Sequence, residues 1–248
     1  MTDKTQACIY TAALIIIGDE ILSGRTHDKN TPYVAEKLNE AGVRLREVRV
    51  IPDDAKTIQE TVNIMRETHD YVFTTGGIGP THDDITAENV AVAFGVELEL
   101  NEAAYADLLG YYKDESEITE SRKKMAMIPV GADLIPNPVS GAPGIQLENV
   151  YVMAGVPRIM QAMFDHILPS LTGGAVVLSR SVTADIPESK VADGLGEIQK
   201  NYPDISIGSY PQYRNGRFGT SMVCRGTDEK LLNTVIEEIT KLVHSLKD

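Results

Sequence analysis

Residues 71–94 read Tyr71-Val72-Phe73-Thr74-Thr75, then Gly76-Gly77-Ile78-Gly79-Pro80-Thr81-His82-Asp83-Asp84-Ile85-Thr86, then Ala87–Phe94. An aromatic and β-branched run enters a glycine loop and leaves it as a helix. The same alternation continues outward. Upstream, Thr11–Ile17 is an apolar strand ending at Gly18, and Asn30–Ala41 sets Val34, Leu38 and Ala41 at helical spacing before Gly42. Leu45–Ile51 suits a second strand, and Ala55–Thr68 carries Ile58, Val62 and Met65 on one helical face. Downstream, Val150–Met153 is a strand and Val156–Leu168 a helix. Strands alternating with helices predict an α/β fold: a doubly wound, mostly parallel sheet with right-handed crossovers.

Between these stretches, Asn101–Met127 reads as one charged, tyrosine-rich helical region. Pro129–Gly144 holds four prolines and three glycines and reads as a long loop with short strands. Long ordered loops are often functional. After Thr172-Gly173-Gly174 the order changes. Ala175–Val182 reads as a strand, Pro187–Lys200 as a helix, and Ser206–Tyr210 and Arg217–Arg225 as strands around an Asn215-Gly216 hairpin turn. Leu231–Leu246 closes the chain as a strongly periodic helix. The expected organisation is a first domain over 1–171 and a smaller α+β domain (β-α-β-β-α) over 172–248.

The chain has 248 residues, 42% apolar and 24% charged, an ordinary globular composition. Its net charge is −13, with −12 carried by residues 1–170. Such a chain lacks the positive field that drives nucleic-acid binding, so no nucleic-acid partner is expected. The apolar runs are too short to span a bilayer, and no secretory leader is recognisable, so no membrane partner is expected either. The two cysteines, Cys8 and Cys224, form no disulfide framework and no zinc signature. A soluble, cytoplasmic protein is the expectation.

Open parallel sheets bind ligands beyond the carboxyl ends of their strands, near the point where strand order reverses. Behind the first strand stands Gly18-Asp19-Glu20-Ile21-Leu22-Ser23-Gly24-Arg25-Thr26. It is not a nucleotide P-loop, because five residues separate the glycines and Arg25 replaces the required lysine. A tight turn with Asp19 and Glu20 in solvent is the plain alternative. Behind the second strand, Asp53 or Asp54 is placed to cap the next helix. Behind the third, Gly76, Gly77 and Gly79 let backbone amides approach an anion, and a helix N-terminus comes next. His82, Asp83 and Asp84 flank that loop. A phosphate cradle beside carboxylates is chemically sensible with a divalent cation between them. The alternative is a glycine turn with Asp84 or Thr86 as helix cap. The fourth candidate pairs Ser140-Gly141-Ala142-Pro143-Gly144 with Gly155-Val156-Pro157-Arg158. Pro157 suits a first helical turn, and Arg158 either meets an anion or stays solvated. No GxGxxG, GxSxG, HExxH or EF-hand pattern is present.

Taken together, Gly18–Gly24, Asp28-x-Asn30, Thr74–Thr86, Gly141-Ala142-Pro143-Gly144 and Gly155-Val156-Pro157-Arg158 resemble the MoaB/Mog molybdopterin-binding domain family in its CinA-like (competence/damage-inducible protein A) branch. The resemblance covers about residues 10–170. The same domain type precedes the synthase part of eukaryotic FAD synthetases. The smaller C-terminal region also resembles the segment C-terminal to this domain in CinA-like proteins. The amidase activity of the domain that many of those proteins add is not expected of these 248 residues.

The resemblance implies an oligomeric α/β protein that handles a phosphoanhydride. It implies Asp84 and Asp53 as catalytic carboxylates and Asp84, Asp19 and Glu20 around a divalent metal (Mg, Mn or Co). It further implies that Gly18, Ser23, Gly24, Asn30, Thr75, Gly76, Gly77, Gly79, Gly141, Pro143, Gly144 and Arg158 bind a small-molecule nucleotide or pterin. CinA-like members resemble metal-dependent pyrophosphatases acting on ADP-ribose, and FAD hydrolysis belongs to the related eukaryotic domain. Molybdopterin adenylyl transfer and non-catalytic binding of molybdopterin or nucleotide are the alternatives. A homo-oligomer, most simply a dimer, is expected.

Overall fold

The computed structural model describes residues 9–214 and 217–246. Cys8 and the Asn215-Gly216 turn lie outside the described residues. In chain order the first unit contains β1 (Tyr10–Ile17), α1 (Asp19–Leu22), α2 (Asn30–Glu40), β2 (Val43–Ile51), α3 (Ala55–Thr68), β3 (Tyr71–Thr75) and α4 (Thr86–Phe94). Next come β4 (Leu98–Leu100), α5 (Glu102–Tyr112), α6 (Glu120–Lys123), β5 (Met127–Pro129), β6 (Asp133–Ile135), β7 (Gly144–Leu147), β8 (Val150–Met153) and α7 (Pro157–Ile167).

The six-stranded sheet has the order β2-β1-β3-β8-β7-β6. β1 pairs in parallel with β2 and β3, and β3 with β8, while β7 and β6 complete the sheet antiparallel. The strand β1 explains the layering. Its run Ala12–Ile17 is buried throughout, and alternate side chains leave opposite faces. Ala13, Ile15 and Ile17 join Ile58, Val62 and Met65 of α3 and Val90 of α4. Ala12, Leu14 and Ile16 join Val34 and Leu38 of α2 and Met160, Met163 and Phe164 of α7. The chain leaves β1 for β2 through α2, then crosses to β3 on the other side through α3. Strand order therefore reverses at β1 and β3, and their carboxyl ends open the crevice in which such sheets hold ligands.

The stretch 101–127 is not one helical region. α5 ends at Tyr112 because Lys113 takes a left-handed conformation, φ 64°. Asp114 then caps a 3₁₀ turn, and Thr119 caps α6. Short polar side chains that bond nearby N–H groups offer the backbone alternatives to a continuous helix. The stretch 129–144 contributes the end of β5, all of β6 and the start of β7. β5 pairs antiparallel with β4, a strand too short to show periodicity in the sequence.

The chain divides into two compact units, Met1–Gly174 and Ala175–Asp248. The second contains β9 (Leu178–Ala184), α8 (Glu188–Asn201), β10 (Ser206–Arg214), β11 (Arg217–Gly226) and α9 (Glu229–Ser245). Its antiparallel sheet has the order β10-β11-β9. Val191, Leu195 and Ile198 of α8 meet Leu232, Val235, Ile239 and Val243 of α9 over Met222 and Cys224. Among the described residues no helix is long and apolar enough to cross a membrane.

Two glycines test which constraint holds the crevice. Gly76 has φ 107°, and a Cβ there would lie 2.1 Å from the Ile17 carbonyl oxygen. Gly95 is also left-handed, φ 68°, but a Cβ there meets nothing within 4 Å. Gly95→Ala is expected to cost about 1 kcal/mol of stability from backbone strain alone. Gly76→Ala is expected to cost at least about 3 kcal/mol, because a backbone clash joins the strain. Urea unfolding of both variants measures the difference; equal losses would show that the β1–β3 approach does not matter.

Candidate functional site

The crevice is built from the ends of three adjacent strands. The Gly18 N–H donates to the Ile51 carbonyl at 3.1 Å, which ties the end of β1 to the end of β2. The two aspartates after β2 then divide their work. Asp54 caps α3, accepting from the Thr57 N–H at 2.9 Å and its hydroxyl at 2.7 Å. Asp53 accepts the Asp19 N–H at 3.0 Å and lines the cleft. Burial pushes the Asp53 carboxyl above its ordinary pKa, against the Asp19 N–H bond and with further help from the charges of Asp19, Glu20 and Asp83.

Behind β3, the Gly76 N–H donates to the Met153 carbonyl of β8 at 3.1 Å. Gly76 therefore provides close approach and not an anion donor. The Thr86 hydroxyl donates back to the Gly76 carbonyl, and the Thr86 N–H to the Gly77 carbonyl at 2.9 Å. These bonds fold the loop over the start of α4. Among the described residues the N–H groups of Gly77, Ile78 and Gly79 donate to no protein acceptor. Ile85, not Asp84 or Thr86, occupies the N-cap position of α4, with no side-chain cap. Asp84 instead closes its own turn, accepting from the Thr81 N–H at 2.8 Å and the Thr81 hydroxyl. Asp83 also accepts from that hydroxyl, which holds its carboxyl below the ordinary pKa. Lys124, 43 residues away, donates to the Thr81 carbonyl at 2.9 Å.

The cleft has a volume of about 590 Å³. Of the expected residues, Asp53, Asp84, Glu20, Gly76, Gly77 and Gly79 line it. Asp19 is exposed and meets it only through its N–H bond to Asp53. Gly18, Ser23, Gly24, Asn30, Thr75, Gly141, Pro143, Gly144 and Arg158 do not line it. Ser23 bonds the Glu20 carbonyl, and Asn30 donates to the Gly155 carbonyl at 2.9 Å. Gly144 is buried where β7 begins, Arg158 is exposed near the start of α7, and Pro143 lines a small neighbouring pocket with Lys124. The sequence reading missed Asn137. Its side chain bonds Ser140 and the Ala142 carbonyl and accepts from the Val139 and Ser140 N–H groups, so it shapes one wall. Tyr112 and Met125 line the cleft from the 101–127 stretch. No local signal marked any of these three.

Among the described residues the lining holds four carboxylates, Glu20, Asp53, Asp83 and Asp84, and no Lys, Arg or His. Among the same residues no three His, Cys, Asp or Glu side chains form a ready-made metal group, so Asp84, Asp19 and Glu20 do not converge as one. The donor set is nonetheless all hard oxygen. Asp53 and Asp84 suit a cation of the magnesium type, which is commonly held by one or two carboxylates plus ligand phosphates and waters.

Comparison with known proteins agrees with the architecture. A family model described as probable molybdopterin binding domain matches residues 13–173, and one described as FAD synthase, middle domain, matches residues 176–247. An Archaeoglobus fulgidus protein is 38% identical over 199 residues, covering 80% of this chain and 85% of its own. A Pyrococcus abyssi protein is 34% identical over 241 residues, covering 91% and 94%. The solved CinA structure from Thermoplasma acidophilum, whose function is unknown, aligns with a TM-score of 0.62 and 34% identity. The alignment covers 65% of this chain and 98% of that one.

The two neighbouring aspartates should separate by stability. Asp54→Ala is expected to cost about 1 kcal/mol, the usual loss of a helix N-cap. Asp53 has a folded-state pKa above its unfolded value, so its contribution favours the fold at low pH and is lost as pH rises through that value. Asp53→Asn is therefore expected to melt no lower than the parent at about pH 7, with any gain gone near about pH 3, below the unfolded carboxyl pKa. Thermal melts at both pH values check this, and a large loss in Asp53→Asn at neutral pH would refute it.

Proposed function

We propose, starting from the fact that this chain belongs to the probable molybdopterin binding domain family, that its cleft hydrolyses a nucleotide pyrophosphate such as ADP-ribose or FAD with a divalent cation. The observation that carries this reading is the lining among the described residues: four carboxylates and no basic side chain, beside a glycine loop whose N–H groups have no protein acceptor among those residues. Carboxylates alone repel a pyrophosphate by several kcal/mol at short range in a cleft of low effective dielectric. The loop amides attract it. A site with both features suits an anion that arrives with a cation.

The chain's own groups then have distinct tasks. The N–H groups of Gly77, Ile78 and Gly79 donate to non-bridging phosphate oxygens and hold the anhydride in place. Asp84, fixed by two bonds from Thr81, and Asp53 face the same cleft. A divalent cation held there supplies neutralising charge and a more acidic water. Asp53 lines the same cleft and is placed to accept a proton from that water. Water oxygen forms the new bond to one phosphorus, the bridging P–O bond breaks, and the two products leave as phosphate monoesters. Of the water's two protons, one passes to Asp53 and the other to solvent.

The test is turnover of ADP-ribose and of FAD with magnesium, manganese or cobalt, monitored by AMP release. Asp84→Asn is expected to lower kcat on the order of 100-fold, the scale of a lost charge-stabilising group, with an unchanged melting temperature. Asp53→Asn is expected to lower it as well. Equal turnover in excess chelator would remove the cation from the reading. No turnover of either substrate, with magnesium-dependent adenylylation of molybdopterin instead, would replace hydrolysis by adenylyl transfer. Binding without either reaction would leave a binding protein.

A further inference from the structure

The carboxylates and the glycine loop account for one part of the cleft. The other part has a different chemistry, set by Tyr112 and Met125 from the stretch between α4 and β5. Tyr112 is the last residue of α5 and is half-buried. The Arg122 guanidinium lies over its ring, 4.1 Å from the centroid. Arg122 is itself held by the Glu117 carboxylate at 3.0 Å and the Glu117 carbonyl. The Tyr111 ring meets Tyr112 edge to face, with centroids 5.1 Å apart. The Tyr112 ring is thus braced by its neighbours while contributing to the cleft wall.

Gly141 explains how this ring reaches the cleft. It has φ 77°, and a Cβ there would stand 2.5 Å from the Tyr111 Cβ. Only a residue without a side chain lets the end of α5 approach the loop that Asn137 shapes. This glycine does not line the cleft, yet it sits where the tyrosine pair docks. A ring fixed in this way has little freedom to lose when a flat ligand packs against it.

We propose that Tyr112, braced by Arg122 and Tyr111, is the wall that packs against the planar heteroaromatic ring of the ligand. The wall selects phosphoanhydrides that carry such a ring over those that do not. This rests on the reading of the cleft as a nucleotide pyrophosphate site. The chemistry it recognises is shared by a purine and by an isoalloxazine. Met125 adds a polarisable side chain suited to contact with a ring edge. Tyr112 is a specificity residue here, not a proton carrier, so its hydroxyl is dispensable.

The test is calorimetric binding with magnesium to the full chain, using ADP-ribose, FAD and, as a ring-free ligand, inorganic pyrophosphate. Tyr112→Phe is expected to bind all three like the parent. Tyr112→Ala is expected to bind ADP-ribose and FAD about tenfold more weakly, the low end of what one ring–ring contact contributes, with pyrophosphate unchanged. Arg122→Gln keeps the ring and loses its brace, so a smaller loss confined to the ring-bearing ligands is expected. That variant carries the test if Tyr112→Ala does not fold. A larger effect on ADP-ribose than on FAD identifies a purine as the ring recognised, and the reverse an isoalloxazine. Equal weakening of all three ligands would make Tyr112 merely structural and overturn the proposal, as would no weakening of any. Failure of the parent to bind either ring-bearing ligand would also overturn it. Selective binding without hydrolysis would leave the wall standing and defeat only the hydrolase reading.

Discussion

The crevice depends on one backbone contact, the approach of Gly76 to the Ile17 carbonyl. No side chain fits between the ends of β1 and β3 at that point, since a Cβ would come within 2.1 Å of the oxygen. The contact fixes where the loop leaves β3. The Gly76 N–H is still bonded to Met153 of β8 while its backbone, φ 107°, already turns the chain out of β3. Gly155, behind β8, comes close from the other side, where a Cβ would sit 3.3 Å from the Gly76 Cα. The Asn30 side chain in turn anchors the Gly155 carbonyl. Three loops from three parallel strands therefore meet at one glycine, and the free amides of residues 77–79 lie just beyond it.

The electrostatics arise from that geometry. Bringing the ends of β1, β2 and β3 together also brings together the acidic residues behind each strand. Their mutual repulsion is visible in Asp53, whose carboxyl is raised by burial first and by neighbouring charge second. Asp83 shows the opposite balance: the Thr81 hydroxyl bond first, then a backbone N–H bond and the charges of His82 and Lys124, hold its carboxyl below the ordinary pKa against the effect of burial. The Lys124 ammonium is bonded to a backbone carbonyl of this loop and does not line the main cleft. A cleft with this balance favours a ligand that brings positive charge with it, and the loop amides favour one that brings negative charge as well. The proposed pairing of cation and phosphate would meet both demands.

The stretch from Asn101 to Pro129 stands apart from the βα repeat. It breaks into short pieces because Lys113, Asp114 and Thr119 each interrupt helical bonding. Its β5 is tied to β4, and its α5 is docked on the Gly141 loop. Those two attachments place Tyr112, Met125 and Lys124 around the glycine loop, although none of them is near it in sequence. A scaffold of common architecture thus gains a distinct wall from an irregular segment, the usual division between framework and site.

Much of this was legible in the order of residues alone. The run Thr11–Ile17, the periodic helices and the glycines behind Thr75 specify strands, helices and a tight loop, because backbone geometry imposes periods of about 2 and 3.6 on any buried element. The glycine loop with Asp84 beside it stands out as a candidate site, since loops at the carboxyl edge of a parallel sheet have a known place, whereas Asp53 reads locally as a helix cap and is marked only by the family resemblance. The tertiary structure alone decided which aspartate after β2 caps a helix and which faces the cleft, because both choices satisfy the same local pattern. It alone decided that Gly141 serves packing instead of lining the cleft, and that Asn137, Tyr112 and Lys124 reach the site at all. Those outcomes depend on contacts between residues far apart along the chain, and such contacts leave no period or spacing in the sequence to be read.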